Sequence, residues 1–104
     1  MDIQLKKGLL EVCVLKILSK SDSYGYQIVK DMSEVIEISE STLYPILKRL
    51  ENNDYLEVYS VEYNSRLRKY FRITASGKER INEFVLEIES INTIFDFIKE
   101  ELYE

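Results

Sequence analysis

Histidine and tryptophan are absent from this 104-residue chain, cysteine and proline occur once each, and glycine only three times. Each scarcity closes something off. Without histidine the chain lacks the commonest general base and metal ligand near neutral pH. One cysteine closes no internal disulfide and offers no Cys/His metal spacing. Cys13 sits in an apolar run, so it reads as a buried free thiol, in keeping with a reducing cytoplasm. So little glycine and proline leaves scant room for a flexible linker, and no glycine-rich phosphate loop is present. No apolar stretch approaches the ~20 residues of a membrane span. Glu11 and Lys16 interrupt the longest one, so no secretory pattern appears. Carboxylates such as Glu87 and Glu89 belong to a polar helix face, which makes them solubilising charge and not an acid/base pair. The expectation is a cytoplasmic protein that is not an enzyme, with no catalytic residue, no metal, no cofactor and no membrane partner.

What is present is a helix-friendly balance of 45% hydrophobic and 32% charged residues, in a chain of one-domain size. Residues 4–20 are apolar on too many sides for a surface helix, which predicts a first helix buried on most sides. Ser21, Asp22 and Ser23 interrupt, and a second helix is expected from Tyr24 to about Val35, with Tyr24, Ile28 and Met32 on one face. Gly25 is a cost there unless a neighbouring backbone comes close. After a short extended link at 36–40, STLYPILKRL predicts a third helix to about Asn53, with Leu43, Ile46, Leu47 and Leu50 on its apolar face. Its N-cap is either Ser39 or Ser41. Pro45 falls near the start in the second case and bends the first turns in the first. Residues 55–63 and 66–73 read as two strands joined at Asn64-Ser65. A last helix from Thr74-Ala75-Ser76 to about Leu102 carries Ile81, Phe84, Ile88, Ile91, Phe95, Ile98 and Leu102 at alternating spacings of three and four. That is a heptad seam. One small domain cannot cover it, which predicts a dimer interface.

Charge is segregated. From Ser41 to Arg72 there are six basic and four acidic residues, a net of +2, whereas Glu79 to Glu104 has two basic and eight acidic, a net of −6. The total of −5 therefore conceals a local basic surface. Ser41 and Thr42 stand at a helix start, where free N–H groups favour a phosphate. Tyr44 and Lys48 share a face one turn on, with Arg49 rotated about 100° from Lys48 and placed to pair with an acidic neighbour. On the second strand Arg66, Arg68, Tyr70 and Arg72 share one side. Leu67, Lys69, Phe71 and Ile73 share the other, with Leu67, Phe71 and Ile73 expected to face inward and Lys69 to lie at the edge. Arg66, Arg68 and Lys69 are candidate phosphate contacts, and Arg72 reads as structural.

Three helices followed by a two-stranded hairpin give a winged helix-turn-helix, mostly α, with a long C-terminal dimerisation helix. The residues carry the match further. KKGLLEVCVLKILSKSDSYGYQI at 6–28, STLYPILKRLENNDYL at 41–56 and RKYFRITASGKERI at 68–81 resemble the PadR family of transcriptional regulators, in its short form. The resemblance implies a winged-helix DNA-binding domain at 1–73 and a dimerisation helix at 74–104. It implies a homodimer whose last helix also packs on the partner's first, around Leu5 and Leu9, and a repressor of its own or a neighbouring operon. The expected partner is double-stranded DNA bearing a palindromic operator. Some relatives release DNA when a small aromatic or cationic effector binds between the subunits, and Phe84, Phe95 and Phe97 are the aromatic residues placed for that. The chain departs from the family at Asn53-Asp54, where glycine is common, and at a wing tip of Asn64-Ser65-Arg66-Leu67 without a glycine-rich stretch. Ile88 stands where multidrug-binding relatives carry tryptophan. The alternative is a winged-helix protein-interaction module that turns the same basic helix to an acidic partner and binds no specific DNA.

Overall fold

The computed structural model describes residues 2–100. Its order is α1 (Ile3–Lys20), α2 (Gly25–Met32), α3 (Glu40–Asn52), β1 (Leu56–Tyr63), β2 (Arg66–Ile73) and α4 (Ala75–Glu100). This is the winged helix-turn-helix with a long final helix that the sequence predicts. Asp2 caps α1, its carboxylate accepting from the Gln4 and Leu5 N–H groups at 3.1 Å each.

One apolar core unites the helices and the hairpin. Leu10, Val14, Leu15 and Leu18 of α1 meet Ile28 and Met32 of α2, Leu43, Ile46, Leu47 and Leu50 of α3, and Leu56 and Phe71 of the hairpin. Each fully buried side chain of this size contributes about 1.5–3 kcal/mol of transfer free energy. All four α3 residues assigned to the core are therefore there. α1 is less enclosed than its composition predicts. Leu9, Val12, Cys13 and Ile17 are half-buried, and Ile3 and Leu5 are exposed. The chain's own α4 covers only part of α1, reaching it where Phe84 lies against Gly8.

α2 stops at Met32, three residues short of expectation. Val35 beyond it is exposed and so gives a further turn no apolar face to bury. Ser39 caps α3, its hydroxyl accepting from the Thr42 N–H at 3.2 Å. Pro45 is thus the sixth residue of the helix. It cannot donate to the Ser41 carbonyl, and Ser41 lies at the surface. The helix stops at Asn52, and the left-handed residue that follows it is an aspartate and not an asparagine. Asn53 keeps φ −91°, and Asp54 takes the left-handed conformation at φ 60°.

β1 and β2 pair antiparallel in a register from Leu56↔Ile73 to Tyr63↔Arg66. Asn64 (φ 51°) and Ser65 (φ 62°) form the two-residue turn, the left-handed pair that suits hairpin twist. Ser23, in the α1–α2 connection, adds a short antiparallel bridge to Phe71: Phe71 N–H donates to the Ser23 carbonyl at 2.8 Å, and Ser23 N–H returns a bond at 3.2 Å. The wing is thereby tied to the helical core. Thr74 caps α4, its hydroxyl accepting from Gly77 N–H at 3.0 Å and donating to the Asp54 carbonyl at 2.7 Å. A Cβ on Gly77 would come within 2.2 Å of the Tyr55 carbonyl oxygen, so only glycine lets α4 start this close to the β1 entry.

Leu67 is the clear departure in the hairpin. It shares a face with Phe71 but is 78% exposed. The core ends under Phe71, and the wing tip extends beyond any helix that could cover it.

Candidate nucleic-acid interface

A cleft of about 810 Å³ opens between the start of α2, the start of α3 and the distal half of the wing. Tyr44 enters it from α3, and Arg66, Arg68 and Lys69 enter it from β2. Four of the eight residues assigned to phosphate or base contact thus meet in one place. The Tyr44 hydroxyl lies where a Cβ on Gly25 would sit, 2.8 Å away. Gly25 is therefore kept small by this side chain and not by a backbone. Glu40 also lines the cleft and is the acid that a bound anion has to tolerate.

The wing arginines are held differently from one another. Arg68 is half-buried between two rings, 4.0 Å from the Tyr24 centroid and 3.8 Å from that of Tyr63. Such cation–π contacts are worth roughly 0.5–2 kcal/mol each, and they fix where the guanidinium points. Arg66, next to the turn, is exposed and has no ion pair among the described residues. Arg72 is structural, as expected: its Nε donates to Asp22 at 3.0 Å, and it lies over Tyr59. The Tyr59 hydroxyl donates to the same carboxylate at 2.6 Å. Tyr59 stacks on Tyr70, which meets Tyr24 edge-on. A continuous aromatic and cationic ladder therefore braces the wing against the α1–α2 connection. Alternation along β2 gives the Arg68 side of the strand, but not Tyr24, which is far away in sequence.

The remaining candidates lie around α3. Ser41 and Thr42 are exposed at its first turn, both hydroxyls within 3.1 Å of the Ser39 hydroxyl. Lys48 is exposed and stands 3.9 Å from Glu51. Arg49 points away from the cleft and is ion-paired with Glu11 of α1, the acidic-neighbour role that its rotation on the helix allows. Thr42 and Arg49 instead line a separate groove against α1.

At the other end, Phe84 and Ile88 are half-buried, whereas Ile91, Phe95 and Ile98 are exposed. Leu5 on α1 is exposed and Leu9 half-buried. Leu102 lies outside the described residues. Burial pushes the Cys13 thiol above its ordinary value, which favours the protonated form.

Residues 14–83 match the PadR-like family of transcriptional regulators. The chain belongs to that family. Its function is transcriptional regulation through DNA and not catalysis. An uncharacterised protein of Lysinibacillus sphaericus is 34% identical over 92% of this chain and 93% of its own length. A PadR-like transcription factor from Bacteroides fragilis superposes with a TM-score of 0.82 at 33% identity, over 91% of this chain and 94% of that one. The PadR of Bacillus subtilis, solved in complex with operator DNA, shares the fold with a TM-score of 0.69. It is 22% identical and is matched over 74% of this chain and 46% of its own.

Proposed function

We propose that this PadR-family protein is a homodimeric repressor that binds a palindromic double-stranded operator, with residues 1–73 contacting DNA and the chain from residue 74 onward joining the subunits. The observation that carries the reading is the convergence of Tyr44, Arg66, Arg68 and Lys69 on one cleft beside the exposed start of α3. In this reading α3 enters the major groove. Ser41 and Thr42 meet a phosphate through the helix N-terminus, and Tyr44 and Lys48 reach base edges. Arg66, Arg68 and Lys69 of the wing hold the flanking backbone. The Bacillus subtilis relative bound to operator DNA supports this use of the shared fold. Arg49, paired with Glu11, contributes through its outward side only.

The exposed apolar residues Ile91, Phe95 and Ile98 supply the subunit contact, joined by the partner's Leu5 and Leu9, and two α3 helices then address half-sites about 34–36 Å apart. A small aromatic effector that relieves repression would lodge between subunits, where Phe95 and Phe97 are uncovered.

Selection of genomic fragments by the purified protein tests the reading. One palindromic site should emerge, bound with an affinity that falls steeply with salt. Lys48→Ala combined with Arg66→Ala should abolish selection. An unchanged site and affinity in that double variant would overturn the assignment of the surface.

A further inference from the structure

On the opposite flank of α3 from the wing, a groove of about 240 Å³ separates α3 from the first turns of α1. Leu10 and Ile46 form its buried floor, and Lys7, Thr42 and Arg49 stand around it. Thr42 and Arg49 are seven residues apart and so lie on one stripe of α3, facing Lys7 across the gap. Among the described residues no acid lines the groove, and Arg49 is paired with Glu11 of α1, which leaves that pair neutral. Lys7 is exposed and has no ion pair among the described residues, and Lys6 beside it is exposed too. The groove therefore keeps a net positive charge at a helix flank that the wing cleft does not use.

The width of the DNA groove gives this position its meaning. A helix with its side chains is about 10–12 Å across, and the major groove is about 12 Å wide. A helix seated there has a sugar–phosphate strand along each flank. The wing arginines serve one flank. We infer that Lys7, with the Thr42 hydroxyl and the outward side of the Arg49 guanidinium below it, holds a backbone phosphate of the strand on the other flank. This rests on the reading that α3 enters the major groove. It adds α1 to the DNA surface and makes Lys7 a contact outside the helix-turn-helix and wing.

The test is titration of the full-length protein with the selected operator and with an unrelated duplex of equal length, each at several salt concentrations. Lys7→Ala should weaken binding by the same factor on both duplexes. It should also flatten the plot of log affinity against log salt by about 0.9 for each Lys7 lost, and Lys7→Arg should restore the slope. An unaltered melting curve will show that the exposed substitution leaves the fold intact. An unchanged slope in Lys7→Ala, alongside weakened binding in Lys48→Ala with Arg66→Ala, would overturn the inference and leave the major-groove reading standing. An unchanged slope in all of them would overturn both. A loss confined to the operator with the slope preserved would mean that Lys7 reads a base, and would also overturn the phosphate assignment.

Discussion

In the winged part Leu15, Leu18, Ile28, Met32, Leu43, Leu47 and Leu50 are almost wholly buried, whereas in the outer half of α4 Ile91, Ile94, Phe95 and Ile98 are each more than half exposed and Phe97 is 75% exposed. Similar side chains have opposite fates because the first set comes from elements that return on one another, while α4 runs out for 26 residues and its apolar residues are half-buried at Ile81, Phe84 and Ile88 but exposed from Ile91 onward. The molecule is correspondingly elongated, at 65 × 26 × 21 Å. The winged end closes by itself, and the far end leaves its apolar residues uncovered by its own chain, which is where the proposed homodimer would join. The charge is divided too, with a basic stretch from Ser41 to Arg72 on the closed end and the acidic excess on the open one, so salt screens the distant acids, beyond roughly 10 Å, from the basic surface.

The sharpest way to break this contrast is to charge the open end. Ile91→Glu with Phe95→Glu keeps good helix formers on α4 but makes the seam polar. Sedimentation should show monomers. Operator affinity should fall by on the order of 10²–10⁴, because the second half-site is no longer delivered at high local concentration. The winged end should retain its tertiary near-ultraviolet signal. A dimer that persists would place the subunit contact elsewhere.

The closed end is broken from inside. Leu47→Ala removes a side chain with 2% exposure from the middle of the core and should cost about 2–5 kcal/mol in urea unfolding at fixed protein concentration. Phe97→Ala, on the open end, should leave the unfolding of an isolated subunit almost unchanged.

The winged fold was written locally. Period-two alternation with Asn64-Ser65 between gave both strands, and Leu43, Ile46, Leu47 and Leu50 gave the buried face of α3. What stayed illegible depends on distance in sequence. The Glu11–Arg49 pair, the Ser23–Phe71 bridge and the Tyr24 ring over Arg68 each join residues 38 to 48 positions apart, and nothing in local spacing selects one partner over another. Leu67 shows the reverse error. Alternation gave its face correctly, but a face is buried only where something lies beneath it. α1 was overestimated for the same reason, since an apolar surface shows that it needs cover but not which chain supplies it.

Two glycines mark the boundary between the two ends and respond differently to the same change. Gly77→Ala puts a methyl against the Tyr55 carbonyl and the Ile73 side chain, and should cost about 1–3 kcal/mol as overpacking. Gly8→Ala meets only the Phe84 ring at an ordinary 3.7 Å. It should instead gain up to about 1 kcal/mol from helix propensity. Paired thermal melts would check both signs, and equal effects would mean that the α4 start is looser than its Thr74 cap suggests.

The smallest expected effect reports on how the closed end holds its wing. The Tyr59 phenol is raised above its ordinary value, first by its hydrogen bond to Asp22, then by partial burial and the Asp22 charge, against the opposing pull of Arg72. A raised value means the protonated phenol is favoured in the folded state. The contact's contribution is therefore complete below the unfolded value near 10 and is lost as pH rises through the higher folded value. Titration by absorbance should place the Tyr59 step above the ordinary tyrosine range. Asp22→Asn should bring it back toward the ordinary range, since the amide acceptor carries no charge, and Tyr59→Phe should remove that step altogether. Arg72 loses its partner in Asp22→Asn but keeps it in Tyr59→Phe, so the two variants separate the wing's phenol hydrogen bond from its ion pair. A greater loss of wing protection against amide exchange in Asp22→Asn would show that the ion pair, and not the phenol, fastens the hairpin to the α1–α2 connection.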